Sequence, residues 1–239
     1  MIRIIALFIL FTVSPILSAN INPIGAVKNG DELKPLTSKI EALSNEILNK
    51  LQSVAQVPKK EVIELAISGY LNLLEEGKIS SGSPLSIIDF SLPSSKERLW
   101  IIDLEEGKLL YHSLVSHGRN SGDLMAKKFS NVNSSFMSSL GFYVTGETYQ
   151  GKHGYSLRLD GVEKGFNDLA RERAIVIHGA DYANKDFVKS TGRLGRSLGC
   201  PALPMGLHKE IINTIKDGSC LFIYGKDANY LDKSRLINA

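Results

Sequence analysis

Apolar residues recur every three or four positions through Leu36, Ile40, Leu43, Ile47, Leu51 and Val54, the spacing that lines one stripe of an α-helix. A second helical line, Ile63, Ile67, Tyr70 and Leu74, follows Pro58, which suits a first helical turn, and stops at Gly77, which suits a C-terminal cap. From Ser86 the period changes. Short β-rich runs at 86–90, 99–104, 109–116, 142–145, 155–159, 174–178 and 221–224, separated by turn residues, predict a mostly antiparallel β domain. Residues 104–108 read as a tight hairpin with a bulged three-residue loop, because Gly107 tolerates positive φ. One more helix is predicted within 204–216, where Leu207, Ile211, Ile212 and Ile215 form a stripe. Residues 20–35 carry Gly, Pro and Asn without periodicity and are expected to form an irregular lead-in.

The first residues alter this picture. Arg3, an apolar run over 4–13, Ser14-Pro15 and the small pair Ser18-Ala19 have the outline of a secretory signal peptide over residues 1–19. The run is well short of the roughly 20 apolar residues that span a bilayer. The mature chain is therefore expected to begin near Asn20, to carry no transmembrane span and to work in the periplasm or cell envelope. The 239 residues, 43% hydrophobic, suffice for one large domain, or one domain with a small appendage. The expected division is a lead-in and two helices over 20–80, packing on a β domain over 81–239. A net charge of +3, spread without like-charge blocks, argues against nucleic acid as a partner. Two cysteines, Cys200 and Cys220, exclude a disulfide-dense scaffold and leave a single Cys200–Cys220 disulfide as an alternative to a free nucleophile.

Chemistry concentrates in two segments. The apolar run Ala174-Ile175-Val176-Ile177 delivers His178 and Gly179, and a glycine-rich loop, Gly192-Arg193-Leu194-Gly195-Arg196-Ser197-Leu198-Gly199, delivers Cys200. A thiol of free pKa ~8.5 is mostly protonated at neutral pH, and an adjacent imidazole that takes its proton leaves a strong nucleophile. Gly199 permits close approach of a carbonyl, so the N–H groups of Gly199 and Cys200 are candidates for an oxyanion hole. Taken singly, each residue has a commoner explanation: a buried small thiol, a satisfied polar histidine, turn glycines. Their combination in an exported chain favours catalysis.

The pattern His178-Gly179, a loop, then Arg196-Ser197-x-Gly199-Cys200 resembles the L,D-transpeptidase (YkuD-type) catalytic domain. Arg196-Ser197-Leu198-Gly199-Cys200-Pro201-Ala202-Leu203 is closer to a divergent branch, the murein L,D-transpeptidase catalytic domain family proteins. Ser116-His117-Gly118-Arg119, Phe129-Ser130-Asn131, Ser138-Ser139-Leu140-Gly141-Phe142-Tyr143, His153-Gly154-Tyr155-Ser156-Leu157 and Arg173 to Gly179 are similar to the same branch, over roughly 61–224.

The resemblance implies a mainly β fold with appended helices, an L,D-transpeptidase-like β-sandwich catalytic domain preceded by a short helical segment. It implies that Cys200 attacks the penultimate carbonyl of a peptidoglycan tetrapeptide stem, releases the terminal D-alanine and holds a thioester. An amine of another stem, or of an envelope protein, then takes the acyl group. His178 is the base, the Gly179 carbonyl orients its ring, and no metal or organic cofactor is required. His117, His153, Tyr155, Arg193, Arg196 and Ser197 are candidates for the substrate groove, although Arg196 is expected rather to clamp the cysteine loop. Leu198 stands where the family usually has a histidine, and is expected to pack beneath that loop. Pro201-Ala202 replaces the usual hydrophobic-Asn/Arg pair. His112 on a strand and His208 on an exposed helix are expected to play no catalytic part, and Cys220 to be an inert core thiol. Hydrolysis by the same site (an L,D-carboxypeptidase or endopeptidase) and a non-catalytic wall-binding module with a Cys200–Cys220 disulfide are the alternatives.

Overall fold

The computed structural model describes residues 30–52 and 56–238. The signal-peptide reading of 1–19, and the first part of the lead-in, lie outside them. The chain forms α1 (Gly30–Leu51), α2 (Lys60–Glu75), β1 (Leu85–Asp89), β2 (Leu99–Asp103), β3 (Lys108–Ser113), β4 (Gly141–Gly151) and β5 (Gly154–Gly161). It continues with β6 (Val176–Ala180), α3 (Lys185–Thr191), β7 (Ala202–Pro204), α4 (His208–Ile215), β8 (Cys220–Tyr224) and α5 (Ala228–Lys233). Helix α1 thus begins inside the stretch expected to be irregular, while α3, β7 and α5 fall where no element was expected.

The eight strands pair in the order β3-β2-β1-β8-β4-β5-β6-β7. Five of the seven pairings are antiparallel, and β1–β8 and β6–β7 are parallel. The two parallel-paired central strands, Leu85–Asp89 and Cys220–Tyr224, are buried along their whole length, as continuous apolar runs require when both faces of a sheet are covered. The ends of the sheet meet: after β3 the chain runs on to Ser116, whose N–H donates to the Ala202 carbonyl of β7 at 2.9 Å. This closure folds the sheet over its own core and gives the expected mainly β architecture with a helical segment in front. The β2–β3 hairpin forms as the sequence indicates, with Gly107 at φ 63°, but its loop has four residues because Asp103 Oδ1 caps the N–H groups of Glu105 and Glu106 at 2.9 and 3.0 Å.

Helix α2 seals one face of the sheet with Val62, Ile63, Ala66, Ile67, Tyr70 and Leu73, all in the same core as the strands. Phe142 of β4 stacks on Phe222 of β8 at 4.3 Å between centroids, and its ring fills the space where Gly69 lacks a side chain. A polar knot fastens the C-terminal turn: the Glu163 carboxylate accepts from Phe142 N–H at 2.7 Å, from Tyr230 Oη at 2.9 Å and from Ser234 Oγ. Burial raises the Glu163 pKa above the usual carboxylate range, and these three donors oppose the shift.

A methyl group at position 69 would overlap the Phe142 ring. Gly69→Ala is therefore expected to destabilise the fold by about 1–3 kcal/mol despite the better helix propensity of alanine. Urea unfolding followed by circular dichroism measures this, and a variant as stable as wild type would contradict the packing of α2 on β4.

Candidate active site

His178 occupies the middle of β6, paired with Ser156 of β5 on one side and Ala202 of β7 on the other, and only 2% of its surface is exposed. Its Nδ1 lies 2.9 Å from the Gly179 carbonyl. Because a carbonyl only accepts, Nδ1 carries the hydrogen and Nε2 is left as the basic nitrogen. Burial lowers the pKa of His178 below the ordinary imidazole value, so the ring is neutral at neutral pH; the Gly179 hydrogen bond opposes that shift, and nearby His153, His208 and Lys152 reinforce it. Gly179 is needed for more than its carbonyl. A Cβ there would stand 2.7 Å from Met205 Sδ and 2.8 Å from the His208 ring, so the imidazole of His208 occupies the space beside Gly179.

Cys200 is half-buried on the loop entering β7. Its sulfur sits in a notch of the segment leading into β6, 3.5 Å from the donating Val176 N–H and 3.7 Å from the accepting Ala174 carbonyl. Ala174 has φ 53°, the left-handed region that costs a residue with a Cβ, and Arg173 beside it donates to the carbonyls of Ser130 and Met137 and to the hydroxyls of Ser135 and Ser139. Burial raises the thiol pKa, while the Val176 N–H and the cations Arg173 and Lys152 oppose the rise. The resting pair is thus a neutral thiol and a neutral imidazole.

The loop is held from below. Ser197 N–H donates to the His117 carbonyl at 3.0 Å, Arg119 N–H to the Ser197 carbonyl at 2.8 Å, and Ser138 Oγ to the Gly199 carbonyl at 3.0 Å. Gly118 has to be glycine here, since a Cβ would meet Gly199 Cα at 2.9 Å and the Phe136 carbonyl at 2.6 Å. Gly199 itself takes φ 129°, which a residue with a side chain rarely adopts.

His178, Cys200, His153, Arg196 and Ser197 line one cavity of about 390 Å³, shared with Tyr149, Lys152, Arg173, Tyr182 and Leu198. The His153 ring stacks on His178 with centroids 4.4 Å apart and planes inclined by 22°. Other expectations are corrected. His117 is fully buried, not in the groove: its Nδ1 accepts from Arg98 Nη2 at 2.8 Å, and burial lowers its pKa to about 4. Tyr155 turns away to donate to Asn213 Oδ1 at 2.7 Å. Arg193 lies outside the cavity lining, bound to Asp123 at 2.7 Å, and Arg196 clamps the loop as expected, through Asp123 at 3.3 Å and the Gly122 carbonyl at 3.0 Å.

Ser197 has a local task, its Oγ donating to the Cys200 carbonyl at 2.6 Å and accepting the Gly199 N–H at 3.0 Å. The Gly199 N–H is therefore committed and is not a free oxyanion donor. Among the described residues no other residue takes the Cys200 N–H, which bears only on its own thiol. Leu198 is 53% exposed rather than packed beneath the loop, and His208 is buried rather than on an open helix face. His112 stacks on Trp100 at 5.0 Å, remote from the cavity lining. Both cysteines are free, and Cys220 is wholly buried in β8, which removes the disulfide that the binding-module alternative requires. Arg173, Ala174 and Val176 lie in the segment that leads to His178 but had no role assigned from sequence, and Lys152, Tyr149 and Tyr182 were not singled out at all.

A comparison with curated protein sequences yields no match. Among solved structures, the chain is similar to an L,D-transpeptidase from Mycobacterium smegmatis (13% identity, TM-score 0.37, covering 60% of this chain and 59% of that one). It is similar also to one from Mycobacterium tuberculosis H37Rv (12%, TM-score 0.39, 60% and 58%) and to one from Enterococcus faecium (14%, TM-score 0.35, 59% and 50%). The chain thus spans between half and three-fifths of the length of these proteins. The L,D-transpeptidase catalytic domain model matches residues 55–224, from the segment before α2 to the end of β8 and through every element of the cavity. By that match over most of its length, the chain belongs to the family of L,D-transpeptidase catalytic domains.

Proposed function

We propose that this protein is an exported cysteine acyltransferase acting on peptidoglycan stem peptides, with Cys200 as nucleophile and His178 as general base. The observation that supports this reading best is the cavity in which a half-buried thiol and an imidazole of fixed tautomer stand together on adjoining elements. Attack of Sγ on the penultimate carbonyl forms the C–S bond as the thiol proton passes to Nε2 of His178. Collapse of the tetrahedral species breaks the peptide C–N bond, and the imidazolium returns that proton to the departing amine of the terminal D-amino acid. The Cys200 N–H is the donor left for the oxyanion. In the second half an acceptor amine attacks the thioester, His178 takes its proton, and the thiolate leaves and is reprotonated. Water in place of the amine gives the carboxypeptidase outcome from the same site.

Incubating the mature protein with purified tetrapeptide muropeptides tests this by mass spectrometry: cross-linked dimers mark transfer, tripeptide monomers mark hydrolysis, and neither product would refute the proposal. Cys200→Ala is expected to lower turnover by more than about 10⁴-fold while the folded state persists, since only a sulfur on a loop is removed. The pH profile carries the sign of the His178 shift. Neutral imidazole is the active form and burial lowers its pKa, so kcat/KM should hold as pH falls past 6.5, the ordinary value, and decline only below it. A decline centred above 6.5 would rule out His178 as the base. A carbapenem is expected to add once, at Cys200, in an intact-mass measurement with peptide mapping. Cys220, with its pKa raised by full burial, should stay unmodified, and an adduct persisting in Cys200→Ala would place the nucleophile elsewhere.

A further inference from the structure

The cavity beside Cys200 and His178 has no acidic side chain in its lining, and its permanently charged members are Lys152, Arg173 and Arg196. A wall of this composition favours an anionic ligand. Two of the three permanent cations already have internal partners. Arg173 holds the 130–139 loop through carbonyls and hydroxyls, and Arg196 holds Asp123 and the Gly122 carbonyl. Lys152 has neither a hydrogen bond nor an ion pair among the described residues. It stands with His153 at the tip of the hairpin between β4 and β5, where Gly151 and Gly154 are the last paired residues.

The tip is not loose over the site, because its second residue stacks on the base at 4.4 Å. That contact fixes the tip beside His178, and Lys152, exposed, lines the same cavity as Cys200 and His178. An ammonium has three donors and no acceptor, so its natural partner there is a carboxylate. A donor peptide bound with its scissile carbonyl at Cys200 places the carboxylate of a single leaving residue at most ~3.6 Å further along the chain, within the same cavity. A longer peptide, or one with a blocked C-terminus, has no charge at that point.

Resting on the acyl-transfer reading of this site, we infer that Lys152 binds the free C-terminal carboxylate of the leaving residue and thereby restricts the enzyme to donors cleaved one residue from their end. The restriction acts on the first half-reaction and is the same whether an amine or water accepts the acyl group.

The test uses two donors, a tetrapeptide stem with a free C-terminal carboxylate and the same stem as its C-terminal amide, with wild type, Lys152→Ala and Lys152→Arg. Wild type should favour the acid by roughly 10- to 100-fold in kcat/KM, the range of one charge-assisted hydrogen bond. In Lys152→Ala the preference should shrink to within about two-fold, mainly through a raised KM for the acid, and Lys152→Arg should restore most of it. A merely structural role for Lys152, or a field acting only on the thiol and imidazole, would lower both donors together and leave the ratio intact; that result overturns the inference. So does a wild type that does not discriminate, or a Lys152→Ala enzyme that still does. Wild type turning over neither donor overturns the acyl-transfer reading itself, and the role of Lys152 with it.

Discussion

The site depends on the contact between the segment after β3 and the loop before β7. Ser116, His117 and Arg119 run beside Ser197 and Ala202 through three backbone hydrogen bonds of 2.8–3.0 Å, and this is also where the two ends of the eight-stranded sheet meet. Closure of the sheet and placement of Cys200 are thus one structural event. Beneath it Arg98, fully buried, donates to the Val115 carbonyl at 2.9 and 3.1 Å, to the Leu92 carbonyl at 2.7 Å and to His117. Burial lowers the Arg98 pKa to about 9, which leaves it charged at neutral pH, and His117, held neutral beside it, can serve as its acceptor. A buried guanidinium with several carbonyl acceptors makes the underside of the loop rigid, since loss of any one acceptor would leave a charge poorly satisfied.

Burial acts in opposite senses on Cys200 and His178. It raises the Cys200 pKa and lowers that of His178, so both shifts favour the uncharged pair. The neighbouring cations moderate the first shift and deepen the second. The thiol lies in its notch between Ala174 and Val176 rather than against a charged ring.

Much of the architecture was legible where the periodic signal ran long enough. The two N-terminal helical stripes, the first as far as Leu51 with Val54 outside the described residues, the helix around Ile211 and the apolar runs of β1, β2, β6 and β8 appear in place. What was missed is short: three residues in β7, six in α5 and seven in α3 are too few for either period to show. Cys200 and His178 stood out because a glycine-rich loop and a strand-end histidine are local features. The groove residues did not, because flanking glycines mark backbone turns and not the direction of a side chain. His117 and His153 sit in similar Gly-bearing stretches, yet one is sealed in the core against Arg98 and the other lies open on the hairpin tip. Leu198 and His208 were misjudged for the same reason, since exposure is set by elements distant in sequence.

The sheet order has a consequence for how the molecule comes into being. Strand β8 is the last strand made, yet it lies in the middle, pairing with β1 on one side and β4 on the other. Until Cys220–Tyr224 is available, the β1–β3 meander and the β4–β7 portion share only the contact around Ser116 and Ala202, and the partner of Leu85 is Cys220, far along the chain. Pairings of such long sequence separation form slowly, because loop-closure entropy is lost before the contacts are gained. The middle of the sheet, and the core built on it, thus depend on a strand that follows every other strand in the chain.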